Sequence, residues 1–352
     1  MSEPELIVRL QGRAGRLTLN RPQALNAVTD GMVAGIAEAL AAWVDDPAVE
    51  LVVIDAAPGR AFAAGGDIKD LYEQGRAGNF AWGRRFWADE YRMNARLASY
   101  PKPVVTLVDG IVMGGGVGVS AHASHRVVTE NTVLAMPECG IGLIPDVGGS
   151  WFLAYAPGRL GEFLGLTGTR IGAADAIHTG FADAYVPAIR LPRLIEQLCE
   201  TGSPVLVAAH SADALAIRDP AVKPLGPFLR DEADHAFAAK TPLEILERLQ
   251  ALDSDWAAAA AKALRRACPL SVACALLAIR KARSMTRIED ALAQEYRFAW
   301  RCSEDGEFLE GIRAAVVDKD RAPNWATARL EDVTDAQAQA MLADLGDDEL
   351  TF

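Results

Sequence analysis

The segment LVVIDA at 51–56 is a continuous apolar run, bounded by Asp-Pro before it and Pro-Gly after it. A strand without polar alternation reads as a buried strand. The surrounding sequence supplies the partners. Residues 5–19 offer two strand-like runs, LIVRL and RLTLN, split by the turn-forming QGRAG, which predicts a hairpin. Thr29 precedes DGMVAGIAEALAAWVDD, where Met32, Ile36, Leu40 and Trp43 or Val44 recur at helical spacing behind a cap. A glycine-bearing loop at 59–66, a helix around 83–99 and a second buried strand in KPVVTLVDG follow. GIVMGGGVGVSAHASHR then turns into a helix, and RVVTE and TVLAM bring further strand character.

This strand, helix, strand rhythm predicts an α/β core over 1–190. From about 190 the β-branched runs fade and Ala, Leu, Arg and Glu dominate 241–301, with helices expected near 242–252, 255–266, 270–283 and 286–301. Residues 191–352 therefore read as a mainly helical C-terminal region. At 352 residues and 51% hydrophobic, the chain can bury one large core, or a core with an appended subdomain.

A net charge of -12 argues against an extended nucleic-acid surface, and an anionic ligand would need a local basic patch. MSEPELIVRL lacks the basic start of a secretory signal, so a cytoplasmic location is expected. The most apolar long stretch, Val104 to Val119, contains Asp109 and five glycines, unlike a membrane helix. Five cysteines without CxxC spacing suggest reduced, buried thiols rather than disulfides or zinc.

Three segments could carry chemistry. In Phe62-Ala63-Ala64-Gly65-Gly66-Asp67-Ile68, paired glycines after a buried strand allow an amide N–H to point outward, although an ordinary turn reads equally well. In Asp109 to Gly118, Gly114-Gly115-Gly116 leads from strand into helix, where free N–H groups and the helix dipole suit a developing negative charge. It matches neither GxGxxG nor a P-loop. The third segment, Met136 to Gly149, sets Glu138 and Asp146 in apolar, glycine-rich surroundings where an unpaired charge is costly to bury. Such a pair suits acid–base or nucleophilic work; alternatively Asp146 caps the next helix and Glu138 joins a structural ion pair. His122 and His125, three apart in an expected helix, read as packing rather than metal ligands. Ser120 lies in GVSAH, which lacks the second Gly of a nucleophile elbow. Cys139 and the aromatics at 80–87 read as packing.

In order, LTLNRPQALNAV, AFAAGGDIKDL, PKPVVTLVDGIVMGGGVG, AMPECGIGLIPDVGG and LTGTRIGAADAIHTGFADAYV resemble the enoyl-CoA hydratase/isomerase, or crotonase, superfamily. Within it the chain looks like the 3-hydroxyisobutyryl-CoA hydrolases. Gly118 stands where hydratases carry a second catalytic Glu, Asp146 stands where they usually have glycine, and SEDGEFLEGIRA with VVDKDRAPNW resembles the hydrolases' tail. Cys139 and Ser150 depart from the pattern, which commonly has Thr and Gly there.

The resemblance implies a crotonase-like ββα spiral core and hydrolysis of a short 3-hydroxyacyl-CoA. It assigns the N–H groups of Gly66 and Gly115 to an oxyanion hole, Glu138 to the role of nucleophile or base, and Asp146 to orienting its partners. Glu90 would lie near the acyl group, or else be an exposed helix residue. Ala63, Gly65, Asp67, Ile68 and Gly114 would line the substrate, with Lys69 or a nearby Arg near the phosphates. Coenzyme A enters as part of the substrate, and no other cofactor or metal is implied. Many relatives form trimers, so a homo-oligomer is one expectation. An unsaturated acyl-CoA hydratase or isomerase, and a catalytically weak acyl-CoA-binding protein, are the competing readings.

Overall fold

The computed structural model describes residues 3–352. The first two strands, β1 (Leu6–Gln11) and β2 (Ala14–Leu19), form the expected hairpin, with Leu6 opposite Leu19 and Gln11 opposite Ala14. Thr29 caps the helix Asp30–Trp43 by accepting from the Met32 N–H at 3.2 Å. The apolar run becomes β3 (Leu51–Ala56), parallel to β2, and Leu51 to Ile54 are all fully buried.

The remaining strands are β4 (Ala61–Ala63), β5 (Val104–Val108), β6 (Ile111–Met113), β7 (His125–Val128), β8 (Val133–Ala135) and β9 (Ala184–Tyr185). They build a six-stranded sheet in the order β1-β2-β3-β5-β7-β9 and a three-stranded sheet in the order β4-β6-β8. From β2 onward the large sheet is parallel, which makes the chain an α/β protein.

Two compact units are present. One comprises the described residues up to Gly66, with Arg92–Leu134 and Arg170–Pro224; the other comprises Asp67–Tyr91, Ala135–Thr169 and Leu225–Phe352. The units interleave along the chain, and neither ends at residue 190. In the first, Leu51, Val53, Val105, Leu107 and Val127 pack against Leu194 and Leu198 of the helix Leu191–Thr201. The second is mainly helical. Its helices Pro242–Gln250, Asp255–Arg266, Pro269–Ala282 and Ile288–Cys302 fall where the sequence pattern puts them. Proline opens Pro269–Ala282, a position where its missing N–H costs nothing, and that helix is buried along most of its length.

Among the described residues no helix is long and apolar enough to cross a membrane.

Candidate active site

In the first unit the chain leaves β4 at Ala63 and turns through Gly65 and Gly66. The Ala64 N–H donates to the Leu25 carbonyl at 3.0 Å, and the Val28 N–H donates to the Gly65 carbonyl at 2.9 Å. Neither bond uses the Gly66 amide. After β6, Gly114 adopts φ 47° at the cap position and Gly115 opens the helix Gly115–Ala121, so the Gly115 N–H has no acceptor within the helix. A Cβ on Gly116 would lie 2.2 Å from the Ala63 carbonyl oxygen, which restricts this position to glycine and seats the two turns side by side. Ala63 closes β4 ahead of the Gly65-Gly66 turn, and Gly114 and Gly115 form the turn that follows β6. Asp67 and Ile68 begin the second unit, where Asp67 precedes the helix Ile68–Arg76 without a side-chain capping bond.

The carboxylates lie in the second unit. Glu138 starts the short turn Glu138–Ile141 and Asp146 follows on the loop before the helix Gly149–Tyr155, each 4% exposed. Glu90, on the helix Phe80–Ala98, is 2% exposed, so the exposed-helix reading fails. One oxygen of Glu138 (Oε2) and one of Glu90 (Oε1) are buried without a hydrogen-bond partner. A buried acceptor left unpaired by the protein is costly, and a water, an ion or a substrate group would satisfy it. Asp146 Oδ2 accepts from the Tyr91 hydroxyl at 2.6 Å.

Burial pushes the Glu138 and Glu90 carboxyls well above the usual carboxylate range, and the Asp146 charge pushes them further. Burial also raises Asp146, but only to about 6, because the Tyr91 hydroxyl and a backbone amide stabilise its charge. Asp146 is therefore the member of this trio that ionises first, and Glu138 and Glu90 hold their protons longer. Beside the Glu138 turn a cavity of about 400 Å³ is lined by Pro137, Cys139 and Gly140, with Arg266 and Arg321 contributing positive charge.

Comparison with known proteins gives this geometry a context. The enoyl-CoA hydratase/isomerase family model matches residues 14–342. The chain belongs to that family. Among its relatives, the mitochondrial 3-hydroxyisobutyryl-CoA hydrolase of Rattus norvegicus is 39% identical over 99% of this chain and 91% of its own length. The 3-hydroxyisobutyryl-CoA hydrolase 1 of Arabidopsis thaliana is 38% identical over 96% and 91%. A crystal structure of an enoyl-CoA hydratase from Rhodobacter sphaeroides 2.4.1 superposes with a TM-score of 0.91 at 50% identity, covering 99% of this chain and 100% of that one. A carnitinyl-CoA dehydratase from Mycobacterium thermoresistibile gives 0.92 at 41% identity, covering 99% of each chain. These superpositions show the crotonase-type α/β fold.

Several alternative readings fall away in this hydratase/isomerase family member. Asp146 does not cap the following helix, whose cap position is Gly148 with no side-chain bond. His122 and His125 do not share a helix: His122 ends Gly115–Ala121 and His125 begins β7, because the chain turns at Ala123-Ser124. The Ser120 hydroxyl donates to the Gly116 carbonyl at 2.9 Å inside its helix. The Cys139 thiol, pushed well up by burial, contacts the Gly165 carbonyl at 3.4 Å and serves packing. Trp82 stacks on Phe86, and Trp87 meets Phe308.

Two residues carry no motif and are found only in the structure. Tyr91 follows Glu90 and reaches Asp146. Glu295, fully buried on Ile288–Cys302, binds the Gly148 and Ser150 amides.

Proposed function

We propose that this chain hydrolyses the thioester of a short 3-hydroxyacyl-coenzyme A, giving the free acid and coenzyme A. The observation that carries the reading is the buried trio of Glu90, Glu138 and Asp146, with one oxygen each of Glu138 and Glu90 unpartnered. The N–H groups of Gly66 and Gly115 polarise the thioester carbonyl and hold the negative charge that develops on its oxygen. Glu138 either attacks the carbonyl carbon to give an acyl-enzyme anhydride that water then cleaves to the free acid and the regenerated carboxylate, or takes a proton from the water that attacks the carbonyl carbon directly. Burial and the neighbouring Asp146 charge raise its pKa, so once ionised its carboxylate is a stronger base than a solvated one. Asp146, ionised first, is the acceptor that orients Glu138, the water or the substrate hydroxyl, while the open oxygen of Glu90 suits a hydroxyl donor on the acyl group. The sulfur leaves and takes a proton as the thiol of coenzyme A. No cofactor beyond the coenzyme A of the substrate is required.

The name of the Rhodobacter sphaeroides neighbour favours a second reading, addition of water to an unsaturated acyl-CoA. The local chemistry weighs against it. Residue 118, where the resemblance puts a hydratase's second acid, is a glycine, and its carbonyl accepts from the Asn94 side chain at 3.0 Å.

The test is Glu138→Gln. Thiol release from 3-hydroxyisobutyryl-CoA is expected to vanish while substrate binding by calorimetry persists; full activity in the variant removes the assignment.

A further inference from the structure

We infer that Glu295 is a positioning residue for Asp146, acting through the backbone of the 146–150 turn. The inference rests on the hydrolase reading only for its kinetic consequence. Glu295 sits on Ile288–Cys302 with no exposed surface. Its Oε2 accepts from the Gly148 N–H at 2.7 Å, and its Oε1 accepts from the Ser150 N–H at 2.8 Å and from the Ser150 hydroxyl. A side chain distant in sequence thereby does the capping that Gly148, having no side chain, cannot do.

The turn it grips is held in a costly shape. Val147 has φ 52° and Gly148 has φ 84°. A β-branched residue in the left-handed region persists only where its surroundings over-determine it. Asp146 is the residue immediately before this pair. Its side chain is fixed by the Tyr91 hydroxyl at 2.6 Å and its backbone leads into the segment that Glu295 clamps. The direction of its carboxylate is thus set from both ends.

Stability alone does not explain an acid here. Glu162, equally buried, is matched by Arg159 at 2.7 Å and Arg283 at 2.8 Å. Glu295 holds three donors, two of them neutral amides, and burial lifts its carboxyl to about 8 despite them. Buried acids with a raised pKa and no cationic partner concentrate at functional sites. The titratable groups around Asp146 are Glu90, Tyr91, Glu138, Glu295 and the Cys302 thiol.

The experiment compares wild type with Glu295→Gln, Glu295→Ala and Ser150→Ala. Thiol release gives kcat and KM, thermal melting gives Tm, and the carbon-13 shift of the Asp146 carboxyl gives its titration midpoint. Glu295→Ala is expected to lower kcat about 100-fold with KM little changed, the scale of a small misplacement of a reacting group. Glu295→Gln keeps one acceptor and is expected to recover part of the loss, about tenfold below wild type, as for one hydrogen bond of a charged group. In all three variants the Asp146 midpoint moves. Should Glu295→Ala fail to fold, Glu295→Gln and Ser150→Ala carry the test. A lower Tm with wild-type kcat, KM and Asp146 midpoint overturns the inference and leaves Glu295 a plain structural cap. Wild-type protein that releases no thiol, with an Asp146 midpoint that still moves in Glu295→Gln, refutes the hydrolase reading and leaves the positioning role standing.

Discussion

At the scale of single residues, the contest is between burial, which favours the neutral acid, and the donors that favour the carboxylate. Asp146 shows the balance. Burial raises it from 3.8 to about 6 while the Tyr91 hydroxyl pulls the other way. Tyr91→Phe removes that donor without changing the ring, so the Asp146 midpoint is expected to climb by roughly one unit, the worth of a hydrogen bond to a charged group. The acid limb of the kcat/KM profile would follow it upward; an unmoved limb contradicts this role for Tyr91. The same shift has a consequence for folding. A carboxyl whose folded pKa is raised binds more protons folded than unfolded, so its contribution is full at low pH and is lost as pH rises from about 4 to about 6. That amounts to about 3 kcal/mol for Asp146. Asp146→Asn should flatten the dependence of stability on pH across this window, as read by urea denaturation at pH 4 and pH 7. An unchanged slope would mean that the burial of Asp146 costs nothing.

At the scale of elements, what could be read in the sequence followed from periodicity. The hairpin, β3, β5 and the four helices from 242 onward were legible because their apolar spacing is long enough to distinguish strand from helix. The strands β4 and β6, three residues each, were not, since AFA and IVM are too short to show a period. The helix Ile288–Cys302 did carry a signal for Glu295. Ala291, Phe298 and Cys302 form its buried stripe and Glu295 falls on the same stripe, a charged residue where an apolar one is due. Glu90 sits likewise beside the buried Trp87 and Tyr91. An acid on an apolar stripe names the residue and its burial; its hydrogen-bond partners come from other segments and had to be seen. Close approach is equally invisible until packing is known. Gly116→Ala would press a Cβ to within 2.2 Å of the Ala63 carbonyl oxygen. The expected cost is about 1–3 kcal/mol, typical of overpacking, with a lower urea midpoint. An unchanged midpoint would show that the helix start can shift freely.

At the scale of the molecule, the change of character near residue 190 was legible in composition, and no strand follows β9 among the described residues. The interleaving of two compact units was not, because it depends on which distant segments pack together. The candidate site shows the same split. Its glycines and the Glu138 and Asp146 pair stood out as motifs, and the family resemblance gave them roles, while Tyr91 and Glu295 had no motif to mark them. The proposed function turns on breaking a thioester rather than adding water to a double bond, since the fold serves relatives named for either. The most direct test offers wild-type protein 3-hydroxyisobutyryl-CoA and crotonyl-CoA side by side, recording free thiol for the first and loss of the conjugated double bond for the second. Coenzyme A is expected to be released from the hydroxyacyl thioester with no hydration of the unsaturated one; hydration without thiol release would sink the hydrolase reading.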